Sequence, residues 1–202
     1  MKKLLISFWL VILVFTIGAL FWYNQYRYSL PTPVPNGYKT VKSGTFIHLT
    51  SGLNLTGQKP VLLHFFNPDC PCSRFNLQHV KSLIKQYHNS VDFALVLVTA
   101  KPYTAQQIQD KFDLQIPVIA DKTLATACGV YSTPQAVLLK ANRQLYYRGN
   151  YNSSRYCTNK KTEYARMALE NLLHGLPVLN NPLSTTAYGC RLANNNSTYA
   201  AQ

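Results

Sequence analysis

Acidic side chains are scarce: seven Asp plus Glu stand against twenty Lys plus Arg in 202 residues, a formal charge of +13. The excess is spread out. No dense basic block occurs, so the clustered cationic face that nucleic-acid binding needs is missing and no nucleic-acid partner is expected. A basic surface near an anionic membrane or an acidic partner accounts for the charge, as does charge that merely keeps a domain soluble. Metal-ligand spacing is lacking too. His48, His79, His88 and His174 form no ligand pattern and read as surface or packing residues, and neither a bound metal nor a resident cofactor is expected. Cysteines number only five, an odd count, so at least one sulfur stays outside any set of intrachain pairs. A chain of this length with 47% hydrophobic content can bury a core without disulfides, so the sulfurs need another explanation.

Residues 4–23 contain no charge at all, which is close to the ~20 apolar residues that cross a bilayer as a helix. Lys2 and Lys3 precede the run, and Phe21, Trp22, Tyr23, Tyr26 and Tyr28 follow at its far end as an interfacial belt. The basic end is thus expected in the cytoplasm and the rest of the chain outside. A cleavable signal peptide is the competing reading, but Ile17-Gly18-Ala19-Leu20 matches a small-x-small cleavage site poorly. An uncleaved anchor over residues 1–23 is preferred. Residues 24–44 carry Pro31, Pro33, Pro35 and Gly37, the composition of an extended tether able to hold a domain off the bilayer.

Beyond the tether, strand and helix patterns alternate. Apolar runs at Val61–Phe66, residues 92–99 and residues 116–120 read as strands, with helical spacing over residues 73–87 and 104–112 between them. A short helix over residues 122–128 has Asp121 as its N-cap and Gly129 as its stop. Gln135–Leu139 and residues 144–148 form a hairpin at the far side of the sheet. A last amphipathic helix covers residues 161–174, and residues 179–202 read as an irregular tail, disordered past Leu192. The order predicts an α/β domain over residues 45–178. Asn54-Leu55-Thr56 and Asn152-Ser153-Ser154 fit a glycosylation triplet that is common by chance.

The most informative stretch is Phe65-Phe66-Asn67-Pro68-Asp69-Cys70-Pro71-Cys72-Ser73-Arg74, where an apolar strand runs into two near-adjacent cysteines as a helix begins. Unpaired amides and the positive end of the helix dipole favour a thiolate at Cys70. Arg74, one turn later, would add positive potential, whereas the Asp69 carboxylate would raise the thiol's pKa unless turned away.

Together with Gly129-Val130-Tyr131-Ser132-Thr133-Pro134 ahead of a strand, this order of elements resembles the thioredoxin superfamily, and in plan its membrane-anchored redoxin and TlpA-like groups. The resemblance covers residues 44–177 and implies a thioredoxin-like fold, a mixed sheet flanked by helices, with Cys70 at the nucleophile position. It also implies a cis Thr133-Pro134 bond lying against the active-site sulfurs. The family's usual second cysteine position holds Ser73, and Cys72 falls one residue early. Tyr188-Gly189-Cys190 resembles a Gly-Cys ending found in some redoxin-like proteins.

Cys72 has three readings: partner of Cys70 in a tight, oxidising disulfide; co-ligand with Cys70 for a soft metal such as Cu(I); or a thiol packed away from Cys70. His64 stands where thioredoxins carry a buried carboxylate, and an imidazole can accept a proton near neutral pH; a core histidine bonded to backbone is the equal alternative. Cys128 reads as a small buried hydrophobe. Cys157 and Cys190 lie in polar stretches and are expected to pair as a structural bridge pinning the C-terminal arm; the functional alternative has Cys190 returning as resolving thiol. Thr133 and Pro134 are expected to shape a groove for an extended client peptide, with nearby tyrosines such as Tyr131 and Tyr156 lining it or merely packing. The expectation is an inner-membrane, single-pass thiol-disulfide oxidoreductase with its soluble domain on the periplasmic side. It would act on protein or small-molecule thiols and disulfides, with an unidentified redox partner. Catalysis is assigned to Cys70, Cys72, His64 and Arg74. A redoxin-type peroxidase, needing Arg74 near the sulfur, ranks second. A non-enzymatic Cu(I) chaperone ranks third, because no histidine completes the ligand set.

Overall fold

The structure, a computed structural model, describes residues 2–49 and 57–192 and divides into two compact units, Met1–Pro31 and Thr32–Gln202. The first holds α1 (Lys2–Ser29), in which Lys2–Tyr26 is long and apolar enough to cross a membrane. The helix outruns the apolar run and stops just before Leu30, whose backbone is pushed out of helical geometry by the ring of Pro31.

The second unit is built on a five-stranded mixed sheet of order β3-β2-β1-β5-β6. Its strands are β1 (Val61–Phe66), β2 (Asp92–Leu97), β3 (Val118–Ile119), β5 (Gln135–Leu139) and β6 (Leu145–Gly149), with a two-residue β4 (Ser132–Thr133) outside it. β1 runs parallel to β2 and antiparallel to β5, so it is central and every one of its residues is buried. That explains a continuous apolar strand where a half-exposed one would alternate with polar residues. Successive side chains point to opposite faces. Leu62 and Phe66 meet α2 (Pro71–Tyr87) through Leu77, Val80 and Leu83, together with Tyr164, Ala165, Ala168 and Leu169 of α5 (Tyr164–Leu173). Val61, Leu63 and Phe65 face Leu124, Ala125 and Cys128 of α4 (Thr123–Cys128). The remaining helix, α3 (Ala105–Phe112), starts with a capping box between Thr104 and Gln107 and buries Ile108. This is the thioredoxin-like α/β arrangement that the order of elements implies.

Two boundaries differ from the sequence reading. Residues 24–44 read as an extended tether in the sequence; from Thr32 onward the chain binds the body: Thr32 N–H donates to the Ala187 carbonyl at 2.8 Å, and Tyr38 Oη to that of Gly129 at 2.8 Å. The tail also has structure as far as Leu192, with α6 (Pro182–Thr185) and β7 (Cys190–Arg191). Asn150 holds α6 through its side-chain amide, which donates to the Leu183 and Thr186 carbonyls. A Cβ on Gly149 would stand 2.1 Å from the Ser184 carbonyl oxygen, so only glycine lets α6 come this close. Asn152 of the second glycosylation triplet is buried and donates to the Asn159 carbonyl. The Asn54 triplet and the expected disorder past Leu192 lie outside the described residues.

Candidate active site

β1 delivers the chain into the turn Asn67–Cys70, which is closed locally. The Asn67 side chain accepts from Asp69 N–H at 2.9 Å, and Cys70 N–H donates to the Asn67 carbonyl at 3.1 Å. Cys70 is the N-cap of α2, with Pro71 at the first helical position, where a missing N–H costs nothing. No side chain caps this end. The positive end of the dipole of this 17-residue helix therefore lies at Cys70.

Cys70 is bonded to Cys190, with Cα atoms 6.1 Å apart and 120 residues between them in sequence. Cys190 arrives on β7, which pairs antiparallel with β4 so that Thr133 faces Cys190. Gly189 makes the approach possible on two counts. It has φ +135°, and a Cβ there would lie 2.2 Å from the Thr133 carbonyl oxygen. Thr32 closes the back of this junction through Ser132 Oγ at 2.9 Å and the Gly189 carbonyl at 3.1 Å. The Thr133-Pro134 bond is cis, and the Thr133 carbonyl oxygen is 3.7 Å from Cys70 Sγ.

This pairing corrects the sequence reading. Cys190 was expected to bridge Cys157, and Cys72 to be the first-choice partner of Cys70. Instead Cys157 is a thiol that donates to Asn76 Oδ1 at 2.8 Å, its pKa pushed up to about 12 by burial and then by Glu163. Cys72 is also a free thiol, only 3% exposed. Its pKa is raised by burial, against the opposing charge of Arg155. The sulfurs of Cys70, Cys72 and Cys190 nevertheless lie within 4.8 Å of one another. Cys128 sits fully buried in the α4 face with its pKa pushed up to about 12, as expected of a small hydrophobe.

Other assigned residues take less direct positions. The Asp69 carboxylate accepts from Lys101 Nζ at 2.9 Å, Tyr103 Oη and Thr99 Oγ1. Partial burial pushes its carboxyl up, but these partners outweigh that and hold it below the usual value. Arg74 is exposed. The cation acting on a site thiol is Arg155, which stacks over the rings of Tyr156 and Phe75. His64 is fully buried on the α2 side of the sheet, sharing a 2.8 Å hydrogen bond with Tyr151 Oη. Burial lowers its pKa to about 3, which removes the near-neutral titration that a proton-accepting role was built on. Tyr146 and Tyr147 point into the packing and donate to backbone carbonyls.

Cys70 itself is 2% exposed, whereas its partner Cys190 is half-buried. Gly189-Cys190 stands out in the sequence as an ending, whereas Thr32, Asn150 and Arg155 carry no sequence signal of their roles.

Among solved structures, the chain is similar to an uncharacterized conserved protein from Geobacillus kaustophilus, with 20% identity, a TM-score of 0.63, and coverage of 83% of this chain and 100% of the other. It is also similar to a hypothetical protein from Sinorhizobium meliloti 1021, with 20% identity, a TM-score of 0.60, and coverage of 76% and 95%. At that identity the likeness is one of fold. No curated protein matches the sequence. Residues 39–193 match a family described as a domain of unknown function, DUF6436.

Proposed function

The chain belongs to the DUF6436 family, and we propose that it is a membrane-anchored, extracytoplasmic thiol-disulfide oxidoreductase working through a mixed disulfide at Cys70. The observation that carries this is the Cys70–Cys190 bridge at the uncapped N-terminus of α2, against the Thr133-Pro134 turn. In the dithiol state the helix end favours the Cys70 thiolate, the nucleophilic form. That thiolate attacks a client disulfide: one client sulfur leaves as thiolate and the other stays bonded to Cys70. Cys190 then loses its proton and attacks Cys70 Sγ, expelling the second client thiolate and forming the intrachain bridge. The client gains two electrons and the protein loses two, and the reverse sequence oxidises a client dithiol.

The pairing of β7 with β4 supports a peptide client. It puts a cysteine on an extended strand opposite Thr133, the geometry in which a client segment would present its own sulfur once the arm withdraws. Thr133 and Pro134 are thus the proposed client wall, and the apolar α1 the proposed inner-membrane anchor.

Insulin reduction and refolding of a reduced, scrambled protein, measured on purified protein, test this reading. Cys70→Ser should bring both to the uncatalysed rate. Cys190→Ser should still attack but accumulate a mixed disulfide at Cys70, visible by mass spectrometry. Full turnover by Cys70→Ser would overturn the assignment.

A further inference from the structure

The sequence offers two sulfurs, Cys70 and Cys72, as a soft-metal pair with no third donor. The folded chain supplies one. β7 carries Cys190 to the same point, so in the bridged state the bonded Cys70 and Cys190 sulfurs and that of Cys72 lie within 4.8 Å of one another, drawn from the cap of α2, its second helical position and an adjacent strand. We propose that the dithiol form of this protein binds one Cu(I) ion through Cys70, Cys72 and Cys190, and that formation of the Cys70–Cys190 bridge closes the site.

Three features select the ion. All members of the cluster are sulfur, and no His, Asp or Glu belongs to it among the described residues, which favours a soft ion over hard cations. Structural zinc takes four ligands in a tetrahedron, one more than the cluster offers, whereas Cu(I) is satisfied by fewer thiolates. Burial of Cys70 and Cys72 limits competition from water. Three thiolates around a monovalent ion leave two net negative charges. The positive end of the α2 dipole at Cys70 and the charge of Arg155, which acts on Cys72, offset them.

The gating follows from the bonding. In the bridged state the Cys70 and Cys190 sulfurs are bonded to each other, and Cys72 is left as the sole thiol of the three. A dithiol or phosphine reductant supplies two electrons and, with two protons from solvent, opens the bridge to give three thiols. Cu(I) then binds the three sulfurs as thiolates, and the protons they still carry pass to solvent. The metal changes oxidation state at no step. Binding does not depend on the exchange activity proposed above, and Cys72, which forms no part of the observed bridge, separates the two.

The test uses the full-length protein in detergent, reduced with a phosphine that is then removed under anaerobic conditions, and titrated with Cu(I) against a chromophoric Cu(I) chelator. One equivalent should move from chelator to protein, with thiolate-to-copper absorption in the ultraviolet and three sulfur scatterers by X-ray absorption. The bridged protein should take up none. Cys72→Ser should weaken binding by at least about 100-fold, since even outer-shell losses at metal sites typically cost 10- to 100-fold. It should still form the Cys70–Cys190 bridge on oxidation, which reports that it is folded. Cys128→Ser and Cys157→Ser should bind as the parent does. The proposal is overturned if the reduced parent leaves copper with the chelator, if Cys72→Ser competes as well as the parent, if the bridged form binds equally, or if Zn(II) displaces the ion at equal concentration. Loss of exchange in Cys70→Ser with intact copper binding in the parent would uphold both readings; copper binding without exchange would leave this one standing alone.

Discussion

His64 shows how one buried side chain sets a pH limit. Its imidazole has no exposure, one partner in Tyr151, and a pKa lowered by burial from 6.5 to about 3. The folded state therefore takes up this proton only near pH 3, while the unfolded chain takes it up near 6.5. Between those values the unfolded state binds more protons, so stability is complete above 6.5 and falls as the pH drops, levelling off below about 3. The slope is at most about 1.4 kcal/mol per pH unit from this residue. His64→Gln, which keeps a polar group for Tyr151, should flatten the acid side of the stability curve between pH 6 and pH 4 in urea unfolding. An unchanged slope would show that another group is responsible. The same displacement predicts that exchange activity shows no break near pH 6.5 attributable to His64, which could not be read from the strand sequence. There the residue's position suggested a proton acceptor, and only the depth of its burial, set by α2 and α5 together, decides its charge.

At the scale of elements, strands and helices were legible where periodicity is forced by burial. β1 and Gln135–Leu139 are read correctly because both faces are covered, and α2 because its apolar stripe meets the sheet. The pairing of Cys190 with Cys70 is legible only as the alternative to a bridge with Cys157, since the choice depends on the docking of the C-terminal arm, which leaves no periodic trace. That docking runs through backbone carbonyls: Asn150 reaches those of Leu183 and Thr186, its own N–H reaches that of Ser184, and Thr32 reaches those of Ala187 and Gly189. Any sequence provides such carbonyls, so only the fold reveals the partner. Polar residues of this kind position Cys190 and raise its effective concentration at Cys70. Asn150→Ala removes two donors and leaves two carbonyls short, a loss of about 1–3 kcal/mol. If about 1.4 kcal/mol of that is felt at the bridge, its reduction potential should rise by about 30 mV. Equilibration against glutathione buffers, followed by thiol trapping, measures this; an unchanged potential would mean that β7 alone holds Cys190 in place.

For the whole molecule, the division at Pro31 and Thr32 separates two solubility problems. Residues 2–26 form a helix long and apolar enough to cross a membrane, a surface suited to lipid or detergent. The unit from Thr32 has its own core on both faces of the sheet and contains every contact that builds the site, from Thr32 against Ser132 to Cys190 against Cys70. A chain starting at Thr32 should therefore be water-soluble without detergent, form the Cys70–Cys190 bridge in air, and exchange thiols with insulin at the rate of the full protein in micelles. The full protein should partition into the detergent phase and resist alkaline extraction from membranes. Starting the chain seven residues later, at Lys39, removes Thr32 and Tyr38, the hydroxyls that hold the β4–β7 junction and the turn after α4. That shorter form should stay folded, because neither residue belongs to the two core clusters, yet release its arm more readily and show a bridge reduced at lower dithiol concentration. Equal resistance of the two truncations to reduction would place the hold on Cys190 entirely within α6 and β7, and would return residues 32–38 to the role of a plain spacer.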